Sequence, residues 1–165
     1  MSPRAAGMTN NYADLERLGV DRWVAALGAR SLVPHGALIV IDAGTAVTID
    51  LVSTDNSFEG GAILPGFAIM HDALTGRTAG IESNRQPVTS AIGKNTRDCV
   101  NSGIQYGLIG AIERLVCEIA ASVDGRAPRL LITGGDAQTI VANSKLEVEL
   151  QSDIMFHGLM LLSQK

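Results

Sequence analysis

Residues 39–51 constrain the fold of this chain most strongly, because two strand-like segments flank a tight turn. The first segment is a run of β-branched residues, and in the second Val47, Ile49 and Leu51 alternate with other residues. Alternation of this kind is typical of one face of a half-buried strand. Residues 42–45, Asp-Ala-Gly-Thr, stand where the backbone reverses. The pattern therefore predicts strand, tight turn and strand in succession.

The turn itself permits two interpretations. In an ordinary hairpin, Asp42 and Thr45 would only satisfy the hydrogen bonds of the turn. In a nucleotide-handling hairpin, Gly44 lets backbone N–H groups approach a phosphate, the Thr45 hydroxyl adds a donor, and Asp42 holds a cation that offsets phosphate charge. The hairpin taken alone leaves both interpretations open.

Size and composition narrow the class of protein. The chain has 165 residues, of which 46% are hydrophobic, so one compact domain with a real core is expected. Its apolar runs fall well short of the roughly 18 residues that span a bilayer, and its start lacks a secretory signal, so we expect a cytoplasmic protein without a membrane partner. The net charge of -4 argues against a nucleic-acid partner and favours small molecules.

Cysteine and histidine spacing gives no sign of a metal centre. Cys99 and Cys117 lie on one predicted helix without a CxxC pattern, and we expect reduced, mostly buried thiols. His35, His71 and His157 are far apart and lack the spacing of zinc ligands. His71 is a weak candidate for chemistry, because it follows a glycine-rich segment.

The remaining pattern predicts a mixed α/β fold. Strands are expected at 37–41, at 47–52 and at 58–64 as an antiparallel meander, and further strands at 129–132 and 146–150. Helices are expected at 14–29, 67–74, 96–123, 137–141 and 153–162, with a loop at 75–95.

Two of these helices carry a pattern on one face. In the first helix, four apolar residues at helical spacing form one face and leave Asp21 and Arg22 on another. The four are Val20, Trp23, Val24 and Leu27. The long helix has three small residues at about one-turn spacing, namely Gly103, Gly107 and Gly110. This spacing predicts that another backbone packs closely against the helix.

A second candidate site lies at the start of the first helix. The Asp21 carboxylate near a helix N-terminus would stay ionised and could orient or deprotonate a substrate hydroxyl. The Arg22 fork suits a carboxylate or a phosphate, and Tyr12 could wall the same pocket. The alternative is a surface Asp–Arg pair that only caps the helix.

Glycine-rich segments follow two later strands. Residues 133–136, Thr-Gly-Gly-Asp, come after a buried strand, where backbone N–H groups can meet a nucleotide. Gly60-Gly61 and Pro65-Gly66 flank the third strand of the meander. Each segment is common alone, but their joint occurrence in this order is far less expected by chance.

These residues together resemble the type III pantothenate kinases, members of the acetate and sugar kinase, chaperone ATPase and actin superfamily. The resemblance covers essentially the whole chain and rests on Tyr12 and on five motifs: residues 18–23 (LGVDRW), 42–46 (DAGTA), 60–66 (GGAILPG), 93–96 (GKNT) and 133–137 (TGGDA). It implies an α/β fold of the ribonuclease H-like (actin-like ATPase) type, with a mixed sheet flanked by helices.

The resemblance also implies a reaction and its site. The reaction is ATP-dependent phosphorylation of pantothenate, the first step of coenzyme A synthesis, with Mg²⁺ accompanying ATP. Asp21 would be the proton acceptor, Asp42 would bind a monovalent cation (K⁺ or NH₄⁺), and the protein would be a homodimer. Pantothenate contacts are implied for Tyr12, Gly19, Val20, Asp21, Arg22 and Thr96, and Thr96 could serve the neighbouring subunit. ATP contacts are implied for Gly44 and Thr45, and we add Gly134 and Gly135.

One family feature has no counterpart in this sequence. Family members open with a strand and an Asp-x-Gly-Asn-Thr phosphate loop, whereas the only DxG segment here is 42–44. We therefore expect an N-terminally truncated chain, with 1–36 a remnant of the N-terminal lobe and 37–165 the C-terminal lobe, weakly active or inactive alone. The alternatives are a non-catalytic accessory or regulatory member of the family, or another superfamily small-molecule kinase acting on a sugar or acetate.

Overall fold

The computed structural model describes residues 4–77 and 85–163. The strands are β1 (Arg4–Ala5), β2 (Met8–Asn10), β3 (Leu38–Ala43), β4 (Ala46–Val52), β5 (Ser57–Pro65), β6 (Arg129–Thr133) and β7 (Glu149–Leu150). The helices are α1 (Val20–Leu32), α2 (Phe67–Arg77), α3 (Thr96–Ala121), α4 (Ala137–Asn143) and α5 (Ile154–Ser163). The predicted loop at 75–95 lies partly outside the described residues, and α2 extends into its start.

A single mixed sheet of seven strands runs through the described residues in the order β1-β2-β5-β4-β3-β6-β7. Its centre is the predicted antiparallel meander of β3, β4 and β5, in which Leu38 pairs with Val52 and Ala43 pairs with Val47. On the other side β3 pairs with β6 in parallel, and β6 pairs with β7 in parallel. The mixed α/β class predicted from the sequence is confirmed.

Helices cover both faces of the sheet, and β3 contributes to both cores. Leu38 and Val40 pack with α1 and α5 on one face, whereas Ile39 and Ile41 pack with α3 and α4 on the other. All four side chains are buried. A strand that is covered on both faces reads as a continuous apolar run, which explains the β-branched segment in the sequence.

The helices α1 and α5 approach so closely that their backbones touch. A Cβ atom added at Gly28 would lie 1.9 Å from the Ile154 carbonyl oxygen, and one added at Gly158 would lie 2.1 Å from that of Val24. Neither position has room for a larger residue. The pair therefore depends on two glycines that sit inside helices, where glycine is normally unfavourable.

The first helix differs from its prediction in both extent and orientation. It begins at Val20, because residues 14–17 form a turn in which the Arg17 N–H donates to the Asp14 carbonyl at 3.1 Å. Val20 is 66% exposed, so its place in the predicted apolar stripe is wrong. Arg22 is buried instead, since α1 lies between the sheet and α5 and is covered on more than one face.

The long helix α3 also differs from its prediction. Cys99 and Cys117 are both exposed, so the expectation of mostly buried thiols is wrong. The glycines at one-turn spacing, Gly103, Gly107 and Gly110, are exposed with open space around them. Only one side of α3 packs on the sheet, and no described atom lies within 4 Å of a Cβ added at any of the three glycines.

Two short elements went unpredicted, and one strand is shorter than expected. The strands β1 and β2 contain too few residues for an alternating pattern, yet β2 joins the sheet beside β5. Of the predicted strand at 146–150, only Glu149–Leu150 pairs with β6. Residues on both sides of the proposed boundary at 36/37 thus contribute to one sheet, and the division itself stays a prediction. No described helix combines the length and apolar character needed to cross a bilayer.

We predict that Gly28→Ala destabilises the protein by about 1–3 kcal/mol, the usual cost of forcing extra atoms into a packed core. The reason is the 1.9 Å distance between an added Cβ and the Ile154 oxygen. Urea denaturation followed by circular dichroism measures the change. Gly107→Ala is the matched control, because its added Cβ meets open space and alanine favours a helix by about 0.5–1 kcal/mol. Equal stability of Gly28→Ala and the wild type would contradict the close contact.

Candidate functional site

Two glycine-containing loops hold the turn between β3 and β4. The Gly66 N–H donates to the Thr45 carbonyl at 2.9 Å, and the Asp136 N–H donates to the Ala43 carbonyl at 2.9 Å. Three motifs that are distant in sequence, 42–46, 60–66 and 133–137, therefore meet at one end of the sheet. Thr45 is exposed at this place, so its hydroxyl is accessible to a ligand.

Only glycine fits at two points of this arrangement. A Cβ added at Gly66 would lie 2.5 Å from the Gly44 and Thr45 carbonyl oxygens. One added at Gly134 would lie 2.5 Å from the Ala43 oxygen, and Gly134 has a φ of +97°, which side chains rarely adopt. Gly135 is exposed with open space around it. The glycine pattern thus serves first to bring three backbones together.

At the start of α1, the Asp21 side chain is exposed and oriented by its neighbours. The Arg22 N–H donates to Asp21 Oδ1 at 2.9 Å. A Cβ added at Gly19 would lie 2.4 Å from the same oxygen, so the carboxylate occupies space that only glycine leaves open. Gly19 therefore has a definite physical role in the predicted site, and Val20 points to solvent beside it.

Arg22 lies in a buried ion pair with Asp50, a residue that the sequence did not predict for the site. The Arg22 Nε donates to both Asp50 carboxylate oxygens, at 3.2 and 3.0 Å, and Nη2 also donates to Oδ1. The hydrogen bond to Asp50 is the main reason that the pKa of Arg22 is raised. The sequence carries one sign of this ion pair, because Asp50 is a charged residue within a predicted strand, on the face that it shares with Val52.

Tyr12 lies against this ion pair. The guanidinium carbon of Arg22 is 5.5 Å from the centre of the Tyr12 ring and 5.8 Å from that of Phe58. A Cβ added at Gly60 would lie 3.4 Å from the Tyr12 ring, and Gly60 has a φ of +90°. Tyr12, Arg22 and Asp21 thus form one continuous group at the start of α1.

Asp42 is half-buried at the end of β3 and belongs to the same acidic region. Burial raises the pKa of Asp42, and the charges of Asp21 and Asp50 raise it further. A cation bound beside this carboxylate would relieve both effects, so the residue fits the predicted cation role. The described residues hold no group of three or more metal-ligating His, Cys, Asp or Glu side chains.

Thr96 does not join this group. It is the exposed first residue of α3, which packs on the face of the sheet opposite α1. The Asn95 side chain caps the helix by accepting from the Asp98 N–H at 2.9 Å. Thr96 borders an apolar groove of about 420 Å³ between α2 and α3, together with Met70, Leu74, Cys99, Val100, Gly103 and Ile104.

Arg85 is a second arginine near the glycine loops, and it was not predicted. Its guanidinium forms an ion pair with Asp136 at 2.5 Å and lies 4.6 Å from the centre of the Phe67 ring. Phe67 follows Gly66, and Asp136 follows Gly135, so Arg85 bridges the two loops that hold the turn. Its sequence context, a polar irregular segment, gave no sign of this contact.

The assembled motifs match a known family over most of the chain. A family model described as type III pantothenate kinase matches residues 1–118. The chain belongs to this family. Its type III pantothenate kinase relatives include a protein from Alkalilimnicola ehrlichii, 40% identical over 81% of this chain and 53% of that protein. Another, from a Polaromonas species, is 37% identical over 99% of this chain and 65% of that protein.

A solved structure shares the fold. It is a protein from Campylobacter jejuni described as a Baf family transcriptional activator, with a TM-score of 0.65 and 26% sequence identity. The match covers 91% of this chain and 66% of that chain. The chain thus spans between about half and two thirds of the length of the curated relatives it matches.

We predict that Asp42→Asn stabilises the protein at pH 7 and that the gain shrinks towards pH 4. The pKa of Asp42 is raised in the folded state, so the folded state binds this proton more tightly than the unfolded state does. The stability that protonated Asp42 contributes is full below the reference pKa of 3.8 and is lost as pH rises through the pKa of the folded state. Asparagine cannot ionise, so the variant does not lose it.

The measurement is urea denaturation across pH 4–7 in tetramethylammonium buffer, which supplies no small cation. Asp124→Asn, at an exposed carboxylate in a loop, is the control and should leave the pH dependence as in the wild type. A loss of stability at pH 7 in Asp42→Asn would show that the carboxylate makes a favourable contact there.

Proposed function

We propose that this chain serves the ATP-dependent phosphorylation of pantothenate to 4'-phosphopantothenate, the first step of coenzyme A biosynthesis. The observation that carries the proposal is the Asp21 carboxylate, which is exposed and oriented by the Arg22 N–H at 2.9 Å. It lies near Asp42, whose pKa is raised first by burial and further by the charge of Asp21. The family and the names of its relatives support a pantothenate kinase.

Each residue then has a role that its chemistry suits. Asp21 is the catalytic proton acceptor that guides the attacking primary hydroxyl of pantothenate. Asp42 holds K⁺ or NH₄⁺ and so offsets the phosphate charge of ATP, whose Mg²⁺ arrives with it. Pantothenate contacts come from Tyr12, Gly19, Val20, Asp21, Arg22 and Thr96. ATP contacts come from Gly44, Thr45, Gly134 and Gly135.

This assignment agrees with what phosphoryl transfer demands of a protein. Catalysis of this reaction depends mainly on positioning and on neutralising charge. Asp21 is oriented by a fixed backbone N–H, and the turn at 43–46 is held from both sides by backbone hydrogen bonds. Both features favour a site whose parts are in place before the substrates bind.

The fold and the assembly follow the same proposal. The fold is of the ribonuclease H-like, actin-like type, with 1–36 from the N-terminal lobe and 37–165 as the C-terminal lobe, in a cytoplasmic protein. The active form is a homodimer in which Thr96 serves the partner's pantothenate site. Support comes from the position of Thr96 on the opposite face from Asp21 and from the exposed glycine side of α3.

We predict that the 165 residues alone phosphorylate pantothenate very slowly or not at all. They contain one phosphate-binding hairpin, at 42–45, where the family pattern has two. Each missing hydrogen bond to a charged phosphate costs about 1.5–3 kcal/mol, so several together weaken ATP binding by orders of magnitude. A coupled assay of ADP release, with a full-length relative run in parallel, measures this. Turnover comparable to that relative would refute the prediction.

We further predict that pantothenate raises the melting temperature of the chain, whereas glucose and acetate at the same concentration do not. A ligand that binds the folded state alone stabilises it by mass action, by about 2.7 kcal/mol at a hundredfold excess over Kd. Asp21→Asn, which keeps the shape of the side chain, is tested beside the wild type. A shift with a sugar or acetate and none with pantothenate would favour another small-molecule kinase of the superfamily.

A non-catalytic accessory or regulatory member is the second candidate, favoured by the description of the similar Campylobacter jejuni protein as a transcriptional activator. Such a protein could retain the pantothenate pocket without phosphoryl transfer. This candidate would be supported if pantothenate raises the melting temperature, if adding ATP, Mg²⁺ and K⁺ causes no further change, and if the chain shows no turnover. A further shift on adding the nucleotide would support the enzyme.

A further inference from the structure

We propose that Asp50, acting through Arg22, is a positioning residue that holds Tyr12 and the first turn of α1 in the geometry of the substrate site. The inference deepens the proposed function and rests on it for the identity of the substrate. It does not make Asp50 a catalytic residue, because the carboxylate is almost wholly buried and contacts Arg22.

The ion pair is buried on both sides, which separates it from an ordinary surface contact. Arg22 is 6% exposed and Asp50 is 2% exposed. Burial raises the pKa of the Asp50 carboxyl, and the Arg22 guanidinium offsets part of that rise. Buried ion pairs are seldom the most stable choice for a core, so a pair of this kind calls for a reason other than stability.

The fork of hydrogen bonds leaves Arg22 little freedom. Its Nε and Nη2 both bind Asp50, which lies on the central strand β4. The guanidinium is therefore fixed relative to the sheet. Its carbon lies 5.5 Å from the centre of the Tyr12 ring and 5.8 Å from that of the Phe58 ring. A desolvated cation attracts an aromatic ring more strongly than an exposed one does.

Arg22 also acts on the predicted proton acceptor. Its backbone N–H donates to Asp21 Oδ1, so the residue whose side chain is buried against Asp50 also orients the Asp21 carboxylate. Because Asp50 fixes the Arg22 side chain, it ties the start of α1 to the sheet. The charge of Arg22 is matched by Asp50, so Arg22 holds its neighbours in place in addition to its proposed contact with pantothenate.

The experiment uses the two tyrosines of the chain as reporters. The sequence contains only Tyr12 and Tyr106, so a protein labelled with 3-fluorotyrosine is expected to show one ¹⁹F resonance for each residue. Tyr106 is 54% exposed on α3, which packs on the opposite face of the sheet, and so serves as an internal control. Tyr12→Phe removes one resonance and assigns the other.

We expect Asp50→Asn to shift and broaden the Tyr12 resonance and to leave the Tyr106 resonance unchanged. Titration of the labelled protein with pantothenate should give a Kd at least tenfold weaker than that of the wild type. Asp50→Glu, which keeps the negative charge, should recover part of the affinity. A pair that served stability alone would change the melting temperature without altering Tyr12 in the folded protein.

Two further variants keep the test decisive. Arg22→Lys keeps the cation and loses the fork, so it should broaden the Tyr12 resonance even if Asp50→Asn does not fold. Glu149→Gln breaks the bidentate Arg129–Glu149 pair near the far edge of the sheet and should leave both resonances and the Kd as in the wild type.

The proposal is overturned if folded Asp50→Asn or folded Arg22→Lys shows the wild-type Tyr12 resonance. It is also overturned if these variants bind pantothenate as the wild type does. Failure of the proposed function has a different signature, in which pantothenate leaves the Tyr12 resonance of the wild type unchanged. The ligand-free spectra of the variants then still decide whether Asp50 positions Tyr12.

Discussion

Close approach of backbones, made possible by missing Cβ atoms, is the constraint on which the rest of the structure depends. Gly28 and Gly158 let α5 lie directly on α1, and α1 covers the face of the sheet that carries Asp50. Gly66 and Gly134 let two loops close on the turn at 43–46. Both halves of the site are thus built at junctions where any side chain would separate the elements.

The electrostatics of the site follow from this tight packing. Burial raises the pKa of Asp42, and the charges of the nearby Asp21 and Asp50 raise it further. Asp50 pairs with Arg22, whereas the Asp42 side chain has no hydrogen-bond partner among the described residues. A site with this balance favours a cation, and a cation in turn favours phosphate. Asp42, whose ionisation is opposed by burial, therefore suits the cation role of the proposed reaction.

The relation to the family clarifies what the described residues can supply. They hold the glycine loops against the hairpin and place the Asp–Arg segment against the same sheet. Thr96 remains apart, because α3 and α1 cover opposite faces of that sheet. In the proposed homodimer, a second copy of the chain would bring Thr96 to the site. The exposed glycines of α3 suit close contact with another backbone.

The sequence by itself determined the elements with a strong local signal. The hairpin at 39–51 and the long helix α3 were predictable, because turn residues and the periodicity of apolar side chains act over a few neighbours. The types and order of the main elements follow from such local rules. The resemblance to the family follows from the sequence motifs themselves.

The tertiary structure alone decided which faces are buried and which charges meet. Periodicity assigns one apolar face to a helix, but α1 is covered by both the sheet and α5, so Arg22 is buried while Val20 is exposed. Asp50 pairs with Arg22 from 28 residues away in the sequence, and no local pattern encodes such a contact. Likewise Cys99 and Cys117 are exposed because α3 packs on one side only. Burial and charge pairing depend on distant neighbours, which only the folded chain brings together.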